Sequence, residues 1–242
     1  MKSRRFLVEP GSLKTGAELS LAPEEAAHAA KVLRLQPGDE VELLDGAGVI
    51  ARAEITSLDK RSVSCRVLKM ATPDRPKPTL VICPGLAKNP AMDLIAQKLT
   101  ELMANEVRPF ISSRSVPKLK DPEARVRRWR KLSLQALKQC GAAWPPDWSA
   151  PATFPQILAR PPGGAMKLML YEDAQDGPSL AQTLGKREEL SEVWVLVGPE
   201  GGFSKDEAEE AQTAGWKLCA LPGAILRTET AALAAAAVIR FS

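Results

Sequence analysis

The sequence predicts two domains, a small β domain followed by a larger α/β domain built on a parallel sheet. In the first part of the chain, DEVELLDG, VIARAEITSL and SVSCRVLKM alternate in polarity, which is typical of half-buried strands joined by tight turns. Further on, apolar strands alternate with helical segments, the pattern of a parallel sheet covered on both faces. Three prolines in ATPDRPKP (71–78) favour a linker. We therefore expect a first domain over 1–72, a linker over 73–78 and a second domain over 79–242.

The first domain is expected to be a small β-barrel-like unit that carries one short helix over residues 23–32. The segments PGD (37–39) and DGAG (45–48) supply turns, because glycine and aspartate tolerate the backbone conformations that tight turns require. We find no internal repeat in the chain.

The elements of the second domain follow from its apolar runs and helix signals. TLVICPG (79–85), KLMLYE (167–172) and VWVLVG (193–198) are apolar nearly throughout, as buried parallel strands are. Ser204 stands as the N-cap of a helix with acidic residues in its first turn. We expect strands over 79–85, 107–111, 167–172, 193–198 and 217–221, and helices over 91–105, 122–140, 204–214 and 228–240.

Composition limits the class of protein. Of the 242 residues, 45% are hydrophobic and 26% charged, which is typical of a soluble globular protein. No apolar run approaches the roughly 20 residues that span a bilayer, and the N-terminus lacks the apolar stretch of a signal peptide. We therefore expect a cytoplasmic protein with no membrane partner.

Cysteine and histidine usage argues against metal chemistry. Four cysteines lie far apart without a C-x-x-C pair, and the chain has a single histidine, His28. A zinc site needs several such ligands at close spacing, and a nucleophile–histidine pair would have to use His28. We expect no metal site, and we interpret the cysteines as small buried hydrophobic residues.

Positive charge is concentrated in the middle of the chain. Residues 79–150 carry 12 lysines and arginines against 6 acidic residues, and the predicted helix over 122–140 is strongly basic. Its basic residues Arg125, Arg128, Lys131 and Lys138 fall largely opposite an apolar stripe formed by Val126, Trp129, Leu132, Ala136, Leu137 and Cys140. A solvated helix is the simpler interpretation, but this charge density favours contact with phosphates.

Two segments of the second domain could form a ligand site. LVGPEGGFSKDE (196–207) runs from a buried strand through glycines into a capped helix, where the backbone can approach a ligand closely. In LPGAILRTETAALAAAAVI (221–239), Arg227 and Glu229 precede an alanine-rich helix. Neither segment matches a dinucleotide or P-loop motif, and taken alone they are also compatible with a tight turn and a capped surface helix.

Taken together, these segments resemble the RsmE family, which methylates N3 of a uridine in 16S ribosomal RNA. The motifs occur in the family's order and spacing over nearly the whole chain, and the pair GPEGG and LRTETA is highly specific. The matching segments are RRFLVEP (4–10), HAAKVLRLQPGDEVELLDG (28–46), QKLTELMANEVRPF (97–110), RWRKLSLQALKQC (128–140), LVGPEGGFS (196–204) and LRTETAAL (226–233).

The resemblance implies a fold, a cofactor and partners. The N-terminal domain would be a PUA-like β-barrel that helps to hold RNA, and the C-terminal domain a SPOUT α/β fold with a deep trefoil knot. The knotted loops would bind S-adenosylmethionine, the protein would be a homodimer, and its substrate would be 16S rRNA within the small ribosomal subunit at the site named m3U1498. The implied cofactor residues are Tyr171, Glu172, Val197, Gly198, Pro199, Gly201, Gly202, Leu221, Pro222, Gly223, Leu226, Arg227, Thr228 and Thr230.

We assign catalytic roles within these loops. Arg227 would stabilise the uracil anion that develops when N3 loses its proton, and Glu229 or Glu200 would orient Arg227 or relay that proton. Basic residues on both domains would hold the RNA: Arg4, Arg5, Lys31, Arg34, Arg114, Arg125, Arg128 and Lys131.

The chain departs from the family pattern at three places. ELMA (101–104) puts Met103 where glycine is common, and GAA (141–143) puts Ala142 where an arginine is usual nearby. Both lie on the side expected to face RNA. Pro222 replaces a glycine.

Three other functions compete with this interpretation. A ribosome-assembly factor that binds RNA without catalysis would have no affinity for S-adenosylmethionine. A knotted methyltransferase with another RNA target would bind the cofactor but modify a different nucleoside. A nucleotide-utilising enzyme is disfavoured because the Walker lysine motif is missing.

Overall fold

The computed structural model describes residues 4–59, 62–115, 121–174, 177–186 and 189–241. Contacts divide the chain into two compact units. The first comprises Met1–Asp74 and Leu134–Pro145, and the second comprises Arg75–Ser133 and Pro146–Ser242. The sequence predicted one division, at the linker. In the structure, residues 134–145 also group with the N-terminal residues.

A five-stranded sheet forms the first unit, with the order β1-β3-β4-β5-β2. Its strands are β1 (Arg5–Leu7), β2 (Glu18–Ser20), β3 (Glu40–Leu44), β4 (Ile50–Leu58) and β5 (Val63–Ala71). β1 pairs with β3 in parallel, and the other pairs are antiparallel. The three long strands confirm the alternation in the sequence, whereas β1 and β2 have three residues each and are too short to show a period.

One helical segment packs on this sheet. Helix α1 (Pro23–Ala27) continues as a π-helical turn over His28–Val32, which confirms the predicted helix. The buried core beneath it includes Phe6 and Ala29, and the ring of Phe6 meets that of His28 edge-on with centroids 6.2 Å apart. His28 therefore has a structural contact.

The segment 134–145 is joined to the rest of the first unit by polar bonds. Lys138 Nζ lies 2.7 Å from Glu25 Oε1, and both side chains are nearly buried. Arg5 donates to Gln139 O at 2.9 Å and pairs with Glu42 at 2.8 Å. The side chain of Lys138, one of the basic residues of the predicted helix, is therefore largely buried in an ion pair.

The second unit contains a six-stranded sheet in which every pair is parallel, with the order β13-β11-β12-β6-β7-β9. The strands are β6 (Thr79–Pro84), β7 (Glu106–Val107), β9 (Asp147–Trp148), β11 (Met166–Leu170), β12 (Glu192–Val197) and β13 (Lys217–Cys219), and β8 (Phe110–Ile111) pairs separately with β10 (Ala152–Thr153). The predicted parallel sheet is confirmed. The strand expected over 107–111 is divided into β7 and β8 at Pro109, which has no N–H for a sheet ladder.

Helices connect these strands. They are α2 (Asn89–Glu101), α3 (Pro122–Cys140), α4 (Phe154–Leu158), α5 (Leu180–Leu184), α6 (Lys205–Thr213) and α7 (Thr228–Phe241), with a 3₁₀ turn over Glu172–Ala174. The bounds of α3 match the prediction, and those of α6 and α7 agree with it to within a residue or two. The five-residue helices α4 and α5 were not predicted. They are shorter than two turns, which leaves no helical periodicity to detect.

Helix α2 ends four residues earlier than predicted. Met103 adopts a φ of +55°, in the left-handed region where glycine is favoured, and this turns the chain out of the helix. Met103 O then accepts from Arg240 Nη2 at 2.8 Å, and Arg240 Nη1 donates to Pro78 O at 2.7 Å. The Met103 departure thus lies at a helix end, and its carbonyl is held by a buried arginine of α7.

Candidate active site

A cavity of about 550 Å³ lies at the carboxyl ends of four adjacent strands of the second unit. Four segments line it, and they follow β6, β11, β12 and β13. Open α/β sheets bind ligands at this edge, and the volume is in the range of small-molecule sites. The lining residues are Lys88, Pro90, Ala91, Leu170, Tyr171, Glu172, Val197, Gly198, Pro199, Glu200, Gly202, Phe203, Leu221, Ala224, Ile225, Leu226, Arg227, Glu229 and Ala231.

The segment after β12, residues 198–203, forms what we name the pocket turn. Gly202 N donates to Pro199 O at 2.8 Å, and Gly202 has a φ of +66°. A Cβ on Gly202 would lie 2.5 Å from Glu172 Oε1, a flexible carboxylate that can move aside, so glycine is favoured there by the backbone angle.

A capping box fixes the end of the pocket turn at helix α6. Ser204 Oγ accepts from Glu207 N at 3.1 Å, and Glu207 Oε2 accepts from Ser204 N at 2.9 Å. This confirms the predicted N-cap. The buried Glu207 also accepts from Ser113 N at 2.9 Å, which joins the segment after β8 to the same point.

The segment after β13 meets the pocket turn through one hydrogen bond. Thr228 Oγ1 donates to Gly198 O at 2.9 Å, and Thr228 is only 3% exposed. Residues 30 positions apart in sequence are thereby held together at the start of α7. The two segments that the sequence singled out thus meet at one cavity.

Charged side chains of both signs line the cavity. The three predicted catalytic residues, Arg227, Glu229 and Glu200, are all among them. Glu200 Oε1 accepts from the backbone N–H of Lys88 at 3.2 Å, which ties the pocket turn to the start of α2. Lys88 is a second cation in the lining that sequence reasoning missed. It lies between β6 and α2, in a segment without a recognisable motif.

Tyr171 closes one side of the cavity and is the chain's single tyrosine. Its hydroxyl donates to Asp173 Oδ2 at 3.0 Å. Loss of solvent raises the pKa of Tyr171 above its ordinary value, and the hydrogen bond to Asp173 and the charges of Asp173 and Glu172 act in the same direction. Its hydroxyl is therefore protonated at neutral pH.

Most predicted cofactor residues line the cavity, and five do not. Gly201, Pro222, Gly223, Thr228 and Thr230 are outside the lining. Thr228 lies beneath it, where its hydroxyl bonds to Gly198, and Gly201 packs against Arg114. Besides Lys88, the lining residues that were not predicted are Pro90, Ala91, Leu170, Phe203, Ala224, Ile225 and Ala231.

The basic residues predicted to bind RNA differ in their surroundings. In the first unit, Lys31 and Arg34 are exposed, Arg4 pairs with Asp39 at 3.0 Å, and Arg5 is engaged as described above.

In the second unit, Lys131 is exposed and Arg128 forms two hydrogen bonds with Asp93, of 2.8 and 2.6 Å. Arg125 is half-buried, with a buried Nη1 that has no hydrogen-bond partner among the described residues. Arg114 is exposed, and its Nη1 bonds to two carbonyls of the pocket turn. Of the predicted set, Lys31, Arg34 and Lys131 are the most available to a phosphate.

Within the described part of the chain, no group of three or more histidine, cysteine or acidic side chains could hold a metal ion. No helix there is long and apolar enough to cross a bilayer. Cys65, Cys83 and Cys219 are buried, as predicted, and Cys140 is half-buried. Burial raises the pKa of Cys65 to about 11 and that of Cys219 to about 12, so neither is a thiolate at neutral pH.

Comparisons with known proteins agree with this architecture. Residues 74–240 match a family model described as an RNA methyltransferase domain, and residues 21–68 match one described as an RNA methyltransferase PUA domain. Ribosomal RNA small subunit methyltransferase E of Bacillus subtilis (strain 168) is 30% identical over 246 residues, which cover 98% of this chain and 96% of that protein.

Two solved structures are similar over almost the whole chain. Ribosomal RNA small subunit methyltransferase E from Neisseria gonorrhoeae, bound to S-adenosylmethionine, has a TM-score of 0.84 at 28% identity, covering 98% of this chain and 96% of that one. A methyltransferase from Legionella pneumophila with the same bound cofactor has a TM-score of 0.82 at 27% identity, covering 99% and 97%.

Proposed function

This chain belongs to the ribosomal RNA small subunit methyltransferase E family, and on that premise we propose that it methylates N3 of a specific uridine in 16S ribosomal RNA with S-adenosylmethionine as donor. The observation that carries the proposal is the meeting of the pocket turn and residues 221–231 at one cavity, joined by the bond from Thr228 to Gly198. In sequence these are the two segments that carry the family's most specific motifs.

The cavity suits S-adenosylmethionine in size, apolarity and charge. Leu170, Val197 and Leu221 offer apolar surface to an adenosine, in a volume of about 550 Å³. Glu172, Glu200 and Glu229 bring carboxylates that favour a cationic ligand. When bound, S-adenosylmethionine supplies a methyl group activated by a positively charged sulfur.

Arg227 is the residue that we assign to charge stabilisation. Uracil N3 must lose a proton before its lone pair can attack, and the resulting negative charge spreads onto the two neighbouring carbonyl oxygens. A guanidinium beside those oxygens lowers the energy of the anion without any metal. Arg227 lies in the cavity lining immediately before α7, so its backbone is fixed by the helix start.

Glu229 and Glu200 are the candidates for receiving the N3 proton. Both line the cavity, and Glu200 is held by the backbone N–H of Lys88. That bond commits one carboxylate oxygen of Glu200 to the backbone of α2, so we assign the proton to Glu229. Glu200 would then orient the loop in which it lies.

RNA binding is assigned to the basic surfaces of each unit. N3 lies on the pairing edge of uracil, so the base must be unpaired or extruded before it can react. Lys31 and Arg34 on the PUA domain and Lys131 on α3 are free to contact flanking phosphates. We expect RNA affinity to fall steeply as salt is added.

The decisive assay incubates the purified protein with labelled S-adenosylmethionine and small ribosomal subunits that lack the modification, followed by digestion to nucleosides. Label in 3-methyluridine supports the proposed reaction. Label in another nucleoside would indicate a different RNA target. If the protein binds RNA but has no affinity for S-adenosylmethionine, the result would indicate an assembly factor.

Arg227→Ala tests the catalytic assignment in the same assay. Removal of one preorganised charge donor costs about 10²- to 10³-fold in the rate of the chemical step. Single-turnover rates separate this loss from a change in cofactor affinity, and Arg227→Lys keeps the charge as a matched variant. Wild-type rates in Arg227→Ala would exclude the role.

Two features of the assembly belong to the same proposal. After β13, at one edge of the sheet, the chain returns to pack α7 against α2 and β6, a path compatible with the trefoil knot of a SPOUT domain. Leu94 on α2 and Phe241 on α7 remain exposed, which favours a homodimer formed through these helices.

Each feature has its own test. Sedimentation equilibrium measures the mass in solution, and a monomer would refute the dimer. Force spectroscopy measures the extended chain length, which a retained knot shortens. The proposed substrate further implies a cytoplasmic protein.

A further inference from the structure

Arg114 is bonded to the pocket turn at two points. Its Nη1 donates to Gly201 O at 3.0 Å and to Phe203 O at 3.2 Å. Among the described residues, no carboxylate lies within ion-pair distance of Arg114. Its charge is therefore directed at two backbone carbonyls, and charged donors make the stronger class of hydrogen bond.

The backbone that carries Arg114 is itself anchored. Ser113 N donates to Glu207 Oε1 at 2.9 Å, and Ser112 N donates to Ser115 Oγ at 3.0 Å. Glu207 belongs to the capping box of α6, so the segment 112–115 and the end of the pocket turn share one buried carboxylate. Arg114 thus starts from a fixed position.

Arg114 packs closely against Gly201 of the pocket turn. A Cβ on Gly201 would lie 3.1 Å from Arg114 Cβ, a tight contact that requires a shift of a few tenths of an ångström, and 3.4 Å from Arg114 O, an ordinary contact. Gly201 does not have a positive φ, so space rather than backbone angle accounts for the glycine. This contact is independent of the two hydrogen bonds.

The atoms that Arg114 holds are next to the cavity wall. Gly202 and Phe203 line the cavity, and Gly202 packs against the carboxylate of Glu172. The Arg114 charge also acts on Tyr171, where it lowers the pKa against the other influences that raise it. Arg114 therefore affects both the shape and the electrostatics of one side of the cavity.

We propose that Arg114 is a positioning residue of the cofactor site: through the carbonyls of Gly201 and Phe203 it holds the pocket turn in the shape that binds S-adenosylmethionine. This rests on the proposed function, and it replaces the sequence-based assignment of Arg114 to RNA contact. Arg114 acts through the turn, whereas Arg227 acts on the reacting base.

Cofactor affinity without RNA is the first measurement. Isothermal calorimetry on Arg114→Gln should show S-adenosylmethionine binding weakened about tenfold to a hundredfold, the loss expected when charge-assisted hydrogen bonds to backbone carbonyls are removed. Arg114→Lys keeps the charge and can bond to one carbonyl. Its affinity for S-adenosylmethionine should therefore lie between that of the wild type and that of Arg114→Gln. Arg127→Gln is the matched control, because Arg127 is exposed and its acidic neighbours lie 3.7 and 4.0 Å away.

Titration of the single tyrosine reports on the electrostatics of the same wall. Tyrosinate absorbance measured against pH follows Tyr171 alone, since the chain has no other tyrosine. Removal of the Arg114 charge should raise the pKa of Tyr171 further in Arg114→Gln, and Arg127→Gln should leave it unchanged. A purely structural defect that loosened the site would instead return the pKa towards its ordinary value.

A double-mutant cycle with Gly201→Ala tests the contact itself. In Gly201→Ala the added Cβ should shift Arg114 relative to the turn, so Arg114→Gln should cost less cofactor affinity in that background than in the wild type. If the losses of cofactor affinity in the two single variants simply added in the double variant, Arg114 and Gly201 would not be coupled. Thermal unfolding of each variant identifies any that are not folded, and Arg114→Lys then serves as the informative variant.

Two outcomes would overturn the proposal in different ways. Wild-type cofactor affinity in Arg114→Gln, combined with weaker RNA binding and a shallower salt dependence, would return Arg114 to the RNA surface. Absence of cofactor binding by the wild-type protein would refute the proposed function, and the positioning role with it.

Discussion

Removal of one hydroxyl, in Thr228→Val, should loosen the cavity without changing its lining. Thr228 is 3% exposed, and its Oγ1 donates to Gly198 O at 2.9 Å. Valine keeps the branched shape, so little packing is lost. The carbonyl of the half-buried Gly198 loses its partner, and a typical intramolecular hydrogen bond contributes about 1 kcal/mol to stability. We expect unfolding by urea to show a loss of about 1 kcal/mol.

Cofactor affinity should fall as well, because the bond joins the pocket turn to the start of α7. Thr228→Ser is the control, since it keeps the hydroxyl and should retain most of the affinity. Calorimetry with S-adenosylmethionine and urea titrations would be carried out on both variants. Equal stability and equal affinity in wild type and Thr228→Val would show that the bond between Thr228 and Gly198 does not hold the two segments together at the cavity.

Three further outcomes follow from other contacts. Met103→Gly should raise the free energy of unfolding by about 1 kcal/mol, because glycine adopts the φ of +55° without strain; urea unfolding measures it, and a loss of stability would contradict it. Arg240→Met should destabilise the protein by about 3 kcal/mol in the same measurement, since the carbonyls of Met103 and Pro78 lose a buried donor, and an unchanged midpoint would refute that assignment. The raised pKa of Tyr171 means that its contribution to stability is fully present below the ordinary tyrosine pKa and is lost as pH rises through the higher folded value. Tyr171→Phe should remove that alkaline loss in thermal unfolding measured across pH.

The elements that could be predicted are those encoded by a short local sequence pattern. The apolar runs of β6 and β12, the alternation of β4 and the Ser204 cap were all readable, because each pattern lies within a few residues. The joining of Arg5 to Gln139 depends on chain segments more than a hundred residues apart, and no local pattern encodes it.

In the candidate site, too, residues within local motifs were predicted, and residues brought in by packing were not. Arg227 and Glu229 were found because they lie in a specific motif, and both line the cavity. Lys88 lies in GLAKNP, which contains no motif that we used, and it enters the site only through the packing of α2 beside the pocket turn. Arg114 was grouped with the RNA-binding residues because its charge is visible in sequence, whereas its carbonyl partners are not.

The discontinuity of the first unit constrains the order in which the chain can mature. A ribosome releases residues 1–74 well before residues 134–145, yet Glu25 and Arg5 find their partners in that later segment. Until it emerges, a nearly buried carboxylate is without its lysine, which is costly inside a protein. The nascent PUA domain should therefore stay partly open until about twice its own length of chain has been made, and a gene fragment that stops at residue 74 should yield a less stable product.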